Sequence, residues 1–147
     1  MRLMTSWRDT ASQQAQDDLD ALVNAALPFA TQQLEQHGEF YPYGVSRSTA
    51  GDESMVAGDP GAGERPASTA VLATLVEGLR RERDGLRAAA LVADVRWSDG
   101  DAIRVELEHR EGQAIAVLLP YNKKPFGRGV EFGNLAAGES SLQIWSV

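Results

Sequence analysis

Chemistry at a protein site needs titratable, nucleophilic or metal-ligating side chains at spacings that let them converge, and the chain's two histidines are the natural place to begin. His37 and His109 fall on different elements, and neither belongs to an H-x-x-x-H pair. No EF-hand loop or zinc pattern accompanies them, so the sequence assigns no metal-ligating residue. His37 stands beside Gly38 at the end of a helical pattern, where it is expected to cap the helix and complement its dipole. Glu106 and Glu108 share one face of a strand, and a hydrolase could use such a pair with one pKa raised by burial. Charges alternating with Val and Leu are equally what a half-exposed strand requires, and a solvated face is the expectation here. Ser68 has no G-x-S-x-G elbow and is expected to cap a helix. Gly61-Ala62-Gly63 lacks the third glycine and the Gly-Lys-Ser/Thr of phosphate-binding loops, and has the composition of a flexible loop. The sequence therefore leans away from an enzyme, with no catalytic residue and no cofactor assigned.

Aromatic and basic residues make better candidates. Gly38-Glu39-Phe40-Tyr41-Pro42-Tyr43-Gly44 packs three rings between two glycines, and such rings serve either as core anchors or as a recognition surface. If the segment is extended and Phe40 faces inward, Tyr41 and Tyr43 share the opposite face; core packing is the expectation. Lys123, Lys124 and Arg128 concentrate positive charge in an acidic chain, flanked by Tyr121, Asn122 and Phe126. The candidate binding surface is therefore Tyr41, Tyr43, Tyr121, Lys123, Lys124 and Arg128. The partner it implies is another protein or a second copy of the chain. The function expected is that of a small cytoplasmic, non-catalytic protein-binding module, immunity-like or self-associating. The alternative is a small-molecule-binding protein or carboxylate-dependent enzyme, for which Tyr41, Tyr43, Lys123 and Lys124 must meet around one pocket.

The elements that must position these residues follow from periodicity. Leu19, Leu22, Val23, Ala26, Ala30 and Leu34 repeat at helical spacing, with Asp17, Asp18 and Asp20 near the positive end of the dipole and Gly38 as the stop. Pro28 predicts a kink or break near residues 24 to 28. Residues 1 to 14 read as a frayed or loosely helical arm, ahead of one domain from residue 15 to 147. Tyr41 to Arg47 and Ser54 to Ala57 suit a first hairpin. After a loop from Gly58 to Arg65, Pro66 suits the first turn of a helix that carries Val71, Leu72, Leu75, Val76 and Leu79. The last third reads as antiparallel sheet. Leu91, Ala93, Val95 and Trp97 share an apolar face away from Asp94 and Arg96, followed by Ile103, Val105 and Leu107, then Ile115, Val117, Leu119 and Tyr121. Pairing His109 with Gln113 aligns Leu107 with Ile115, Val105 with Val117 and Ile103 with Leu119, leaving Arg110-Glu111-Gly112 as the turn. Val95 is expected opposite Val105. Val130-Glu131-Phe132 and Leu142-Gln143-Ile144-Trp145 are expected as further strands. The fold class is thus α+β, a single antiparallel sheet of about five strands with two main helices packed on it, in the order α-β-β-α-β-β-β(-β).

Composition narrows the partners. Acidic residues outnumber basic ones by 21 to 14, a formal charge of -7, so polyanions are repelled; nucleic acid and anionic membrane are not expected partners. With no cysteine there are no disulfides or thiolate sites, and the chain shows neither a leader-like apolar run nor a window long enough to span a bilayer, so a cytoplasmic location is expected.

Several short runs carry a resemblance: Leu27-Pro28-Phe29-Ala30, Gly38 to Gly44, Leu107-Glu108-His109, and Leu119-Pro120-Tyr121-Asn122-Lys123-Lys124. Together they resemble a group of small bacterial proteins that share a G-x-F-x-P-aromatic-G segment and a late L-P-Y-x-K-K, over about residues 19 to 132. The resemblance implies a bacterial context and no activity.

Overall fold

Leu19, Leu22, Ala26, Ala30 and Leu34 line the buried side of a long helix, α2 (Gln13–His37), in the computed structural model, which describes residues 7–58, 67–124 and 129–146. The helix begins earlier than its aspartates suggest because Ser12 caps it, its Oγ accepting from the Ala15 N–H at 3.0 Å. Ahead of it, α1 (Trp7–Thr10) is ordered against the body: Trp7 packs on the core, and Arg8 reaches both carboxylate oxygens of Asp20 at 3.0 and 2.6 Å. Pro28 does not break α2. It and Asn24, whose carbonyl lacks the proline's missing donor, both lie on the exposed side, where water can supply the bond. Gly38 ends the helix with φ 76° and donates to the Leu34 carbonyl at 2.9 Å, as its position after the last apolar residue predicts.

The hairpin β1 (Tyr43–Ser48) and β2 (Glu53–Ala57) leads to α3 (Ser68–Glu82) and a 3₁₀ turn at Arg83–Gly85. Ser68 is the first helical residue, and Ala67 holds the cap position with no side-chain bond, so Ser68 does not cap as expected. Then follow β3 (Leu86–Trp97), β4 (Gly100–His109), β5 (Ala114–Lys123), β6 (Val130–Phe132) and β7 (Ala136–Gly138). All pair antiparallel in the order β2-β1-β3-β4-β5-β6, with β7 also on β5, which makes seven strands among the described residues rather than about five. Strand β7 is Ala-Ala-Gly, with no β-branched or aromatic residue to announce it.

The β4–β5 register is the predicted one, Leu107 with Ile115, Val105 with Val117 and Ile103 with Leu119, and Gly112 turns at φ 109°. The β3–β4 register differs: Val105 faces Val92 and Val95 faces Ala102, because Trp97 pairs with Gly100 across the two-residue turn Ser98-Asp99, with Ser98 at φ 55°.

Strand β3 is buried on both faces. Ala88, Ala90 and Val92 meet α2 together with Val45, Ile103, Val105 and Leu107, while Ala89 and Leu91 join Val71, Leu75 and Leu79 of α3 and Ile144. The two main helices therefore cover opposite sides of the sheet. Leu142–Trp145 forms no strand. It crosses the outer face of β4, where Glu108 Oε1 accepts from the backbone N–H groups of Ile144 at 2.9 Å and Trp145 at 3.3 Å. Ser140 donates to Glu106 Oε1 at 3.2 Å. The expectation of a solvated Glu106–Glu108 face is thereby corrected: Glu108 is 2 % exposed.

Candidate functional site

The two groups of titratable residues that sequence spacing left unlinked meet at opposite ends of α2. At its start, Asp18 lies on the buried stripe. Its Oδ1 accepts from Arg87 Nη2 at 2.9 Å and pairs with Arg47 Nε at 3.0 Å; its Oδ2 stands 2.9 Å from His109 Nε2. The Glu111 N–H donates to His109 Nδ1 at 3.2 Å, which fixes the ring as the tautomer carrying its proton on Nε2, aimed at Asp18. Arg47 also pairs with Glu53 at 3.1 Å, so two guanidinium groups face two carboxylates. Ser12 donates to Glu111 Oε2 at 2.9 Å, tying the helix cap to the β4–β5 turn. Asp18 and His109 are 2 % and 0 % exposed, so this cluster holds elements together and has no surface on which to meet a substrate.

At the other end, the chain leaves α2 at Gly38 and enters β1 only at Tyr43, so period-two alternation does not govern residues 39–42. Phe40 and Tyr43 both turn inward, their rings 5.9 Å apart and edge to face, and Phe29 meets Tyr43 at 4.9 Å. Tyr43 donates its hydroxyl to the Ala26 carbonyl at 2.5 Å. Tyr121 donates to Asp94 Oδ1 at 2.5 Å. Burial pushes both tyrosines well above the usual tyrosine range, and for Tyr121 the hydrogen bond and charge of Asp94 add to it. Tyr43 is 5 % and Tyr121 3 % exposed, Tyr121 only backing a shallow depression beside Trp97 and Asp101, so neither ring is presented to a partner, which corrects their place among the candidate binding residues. Tyr41 alone of the three is exposed, at 50 %.

Tyr41 borders a groove of about 490 Å³ with Phe40, Glu39, Gln33 and His37, closed by Asp94 and by Ser68 at the start of α3. Asp94, expected to point away from the apolar face of β3, lies on the α2 side with Ala90 and Val92, beyond the end of the helix. Its carboxyl is pushed above the ordinary range, first by burial. The Tyr121 hydroxyl opposes this, Asp101 and Glu39 add repulsion, and Lys123 draws it back. Lys123 and Lys124 are exposed and line a second depression, about 240 Å³, with Gly38, Val130 and the same His37. The aromatic segment and the basic strand end are thus neighbours across His37. Arg128 lies outside the described residues.

Sequence reasoning missed Asp94, Glu39 and His37 as groove residues, and Asp18 with His109 as a buried pair. One signal was present: Asp18 falls three after Ala15 and four before Leu22, on the apolar stripe itself. Among the described residues no three His, Asp or Glu side chains group as metal ligands, and no helix is long and apolar enough to cross a membrane. No family model, curated protein or solved structure matches the chain.

Proposed function

We propose that the chain is a non-catalytic protein-binding module whose groove beside Tyr41 receives a basic side chain of its partner. The observation that carries the reading is Asp94. A carboxylate that is partly desolvated and faces Asp101 and Glu39 gains when a cation arrives, and it opens into a groove walled by Tyr41 and Phe40. Those rings offer apolar cover for a Lys or Arg stem and a face for its charge. A net charge of -7 steers basic partners toward the chain, and neutralisation of a basic toxin is one specific version of the role. A groove of this size also falls within the span of small-ligand sites, about 300–1,000 Å³, so a small cationic molecule is the second reading.

Titration with acetyl-arginine amide and with an arginine-containing peptide, followed by NMR, tests both. Shifts centred on Phe40, Tyr41 and Asp94, with the peptide the tighter ligand, are expected. Asp94→Asn should weaken peptide binding about tenfold or more, as loss of one partner of a partly buried charge pair does. Equal affinity for the amide and the peptide selects the small-molecule reading. Absence of shifts at millimolar ligand, or an Asp94→Asn affinity equal to that of the parent, removes the groove as a cation site.

A further inference from the structure

Strand β2 ends the sheet, and its sequence Glu53-Ser54-Met55-Val56-Ala57 carries one charge, no lysine and no proline, the residues that usually guard a sheet edge. The Ser48 N–H donates to the Asp52 carbonyl at 2.8 Å, which marks positions 48 and 52 as a hydrogen-bonded pair. Alternation along the antiparallel ladder then makes Ser46 with Ser54 and Gly44 with Val56 the bonded pairs. The backbone groups of Ser54 and Val56 turn to β1, and those of Glu53, Met55 and Ala57 turn away. Among the described residues none bonds to that outer edge. Val56 packs inward against the α3 cluster, whereas Met55 is 53 % exposed.

We infer that β2 pairs antiparallel with β2 of a second copy, about a twofold axis through Met55. The edge is self-complementary in that register. The outward-facing positions 53, 55 and 57 of one copy meet positions 57, 55 and 53 of the other, so every free N–H finds a free carbonyl. Glu53 falls opposite Ala57 rather than another carboxylate, and its charge is already met by Arg47 at 3.1 Å. The two Met55 side chains face each other on the α2 side of the joined sheet, which removes from water the largest apolar group the strand exposes. A strand of another protein would find the same backbone groups but not this matched pairing of side chains. Five residues bury less than a standard interface, and two copies of charge -7 repel, so the dimer is of micromolar strength or weaker and tightens as salt screens the repulsion.

Sedimentation velocity from about 10 μM to about 1 mM, at low and moderate salt, reads this directly. A monomer–dimer equilibrium that shifts toward dimer with salt is expected. Met55→Pro removes an N–H that β1 does not use, so circular dichroism should stay native while the dimer disappears. Met55→Lys sets like charges across the axis and should weaken association at least about tenfold; it decides the matter if the proline variant does not fold. A monomer throughout the range, or dimers undiminished in folded Met55→Lys, overturns the inference. Asp94→Asn lies off the β2 edge and leaves the dimer in place, with at most the slight tightening that one negative charge fewer per copy brings, so failure of the groove and failure of the edge are separate results.

Discussion

His109 Nε2 donates to Asp18 Oδ2 at 2.9 Å, and this bond joins the first turns of α2 to the last residue of β4. Because Arg47 and Arg87 converge on the other oxygen of Asp18, one carboxylate ties α2 to β1, β3 and β4 at once. Removing it leaves the buried His109 Nε2 without its acceptor and Arg87 with only the Thr49 carbonyl at 3.4 Å, while Arg47 keeps Glu53. Asp18→Ala should therefore cost about 3–5 kcal/mol, as breaking a buried ion pair on one side does, and Asp18→Asn less because it keeps an acceptor for His109. Urea unfolding measures both, and a loss below about 1 kcal/mol for the alanine variant contradicts the anchoring role.

Glu108 offers a second test. Its carboxylate is the acceptor for two backbone N–H groups of the segment that seats Ile144 in the α3 core. Glu108→Ala leaves both donors without a partner, at roughly 1–3 kcal/mol each, and should detach the segment. With Trp7 and Trp97 changed to Phe, the emission of Trp145 should move to longer wavelength in Glu108→Ala; an unmoved spectrum means the segment stays docked by its apolar contacts and by the bonds of Arg80 and Arg83 to its carbonyls.

The buried tyrosines set the alkaline limit. Tyr43 and Tyr121 both ionise less readily folded than unfolded. Their contribution to stability is fully present below the unfolded value, about 10, and is lost as pH rises through the folded value. Their phenolate absorbance should thus appear together with alkaline unfolding, and Tyr43→Phe and Tyr121→Phe should each subtract one tyrosine from that late phase. Absorbance from either residue while the far-ultraviolet dichroism is still native would refute the assignment.

Asp94 has the same sign in acid. Its carboxyl is raised in the fold, chiefly by burial, so its contribution is present below the unfolded value of about 3.9 and lost as pH rises through the folded one. At neutral pH the ionised group works against folding. Asp94→Asn keeps an acceptor for the Tyr121 hydroxyl, so its stability at pH 7 should equal or exceed that of the parent, with a flatter dependence from about pH 4 upward. Denaturant melts across that window check it; a large loss at pH 7 reverses the sign.

Local pattern reached as far as single elements and adjacent strands. The α2 stripe, the Gly38 stop and the β4–β5 register depend on neighbours in sequence, and the residues there state their own geometry. Partners far apart in the chain were not legible. Nothing near Glu108 says that residues 144 and 145 will cover it, and a strand flanked by charges looks solvated until that cover is known. An extended segment gives Tyr41 and Tyr43 a common face, whereas the strand starts at Tyr43 and residues 39–42 belong to no strand. Asp94 reads as outward until the β3–β4 offset is fixed by its two-residue turn.

The far side of the sheet differs from the β2 side in a way that bears on assembly. Strand β5 is covered along its outer edge by two separate three-residue strands, β6 against Tyr121 to Lys123 and β7 against Ala116 to Leu118, with the Gly133 N–H on the Pro120 carbonyl between them. Edges so short and offset give an incoming strand little to read. A sheet open at both ends can add copies without limit and grow into filaments, but one open at a single end closes after the second copy. With β2 pairing as inferred, the folding back of residues 130–138 onto β5 would act as a terminator and hold edge association to pairs.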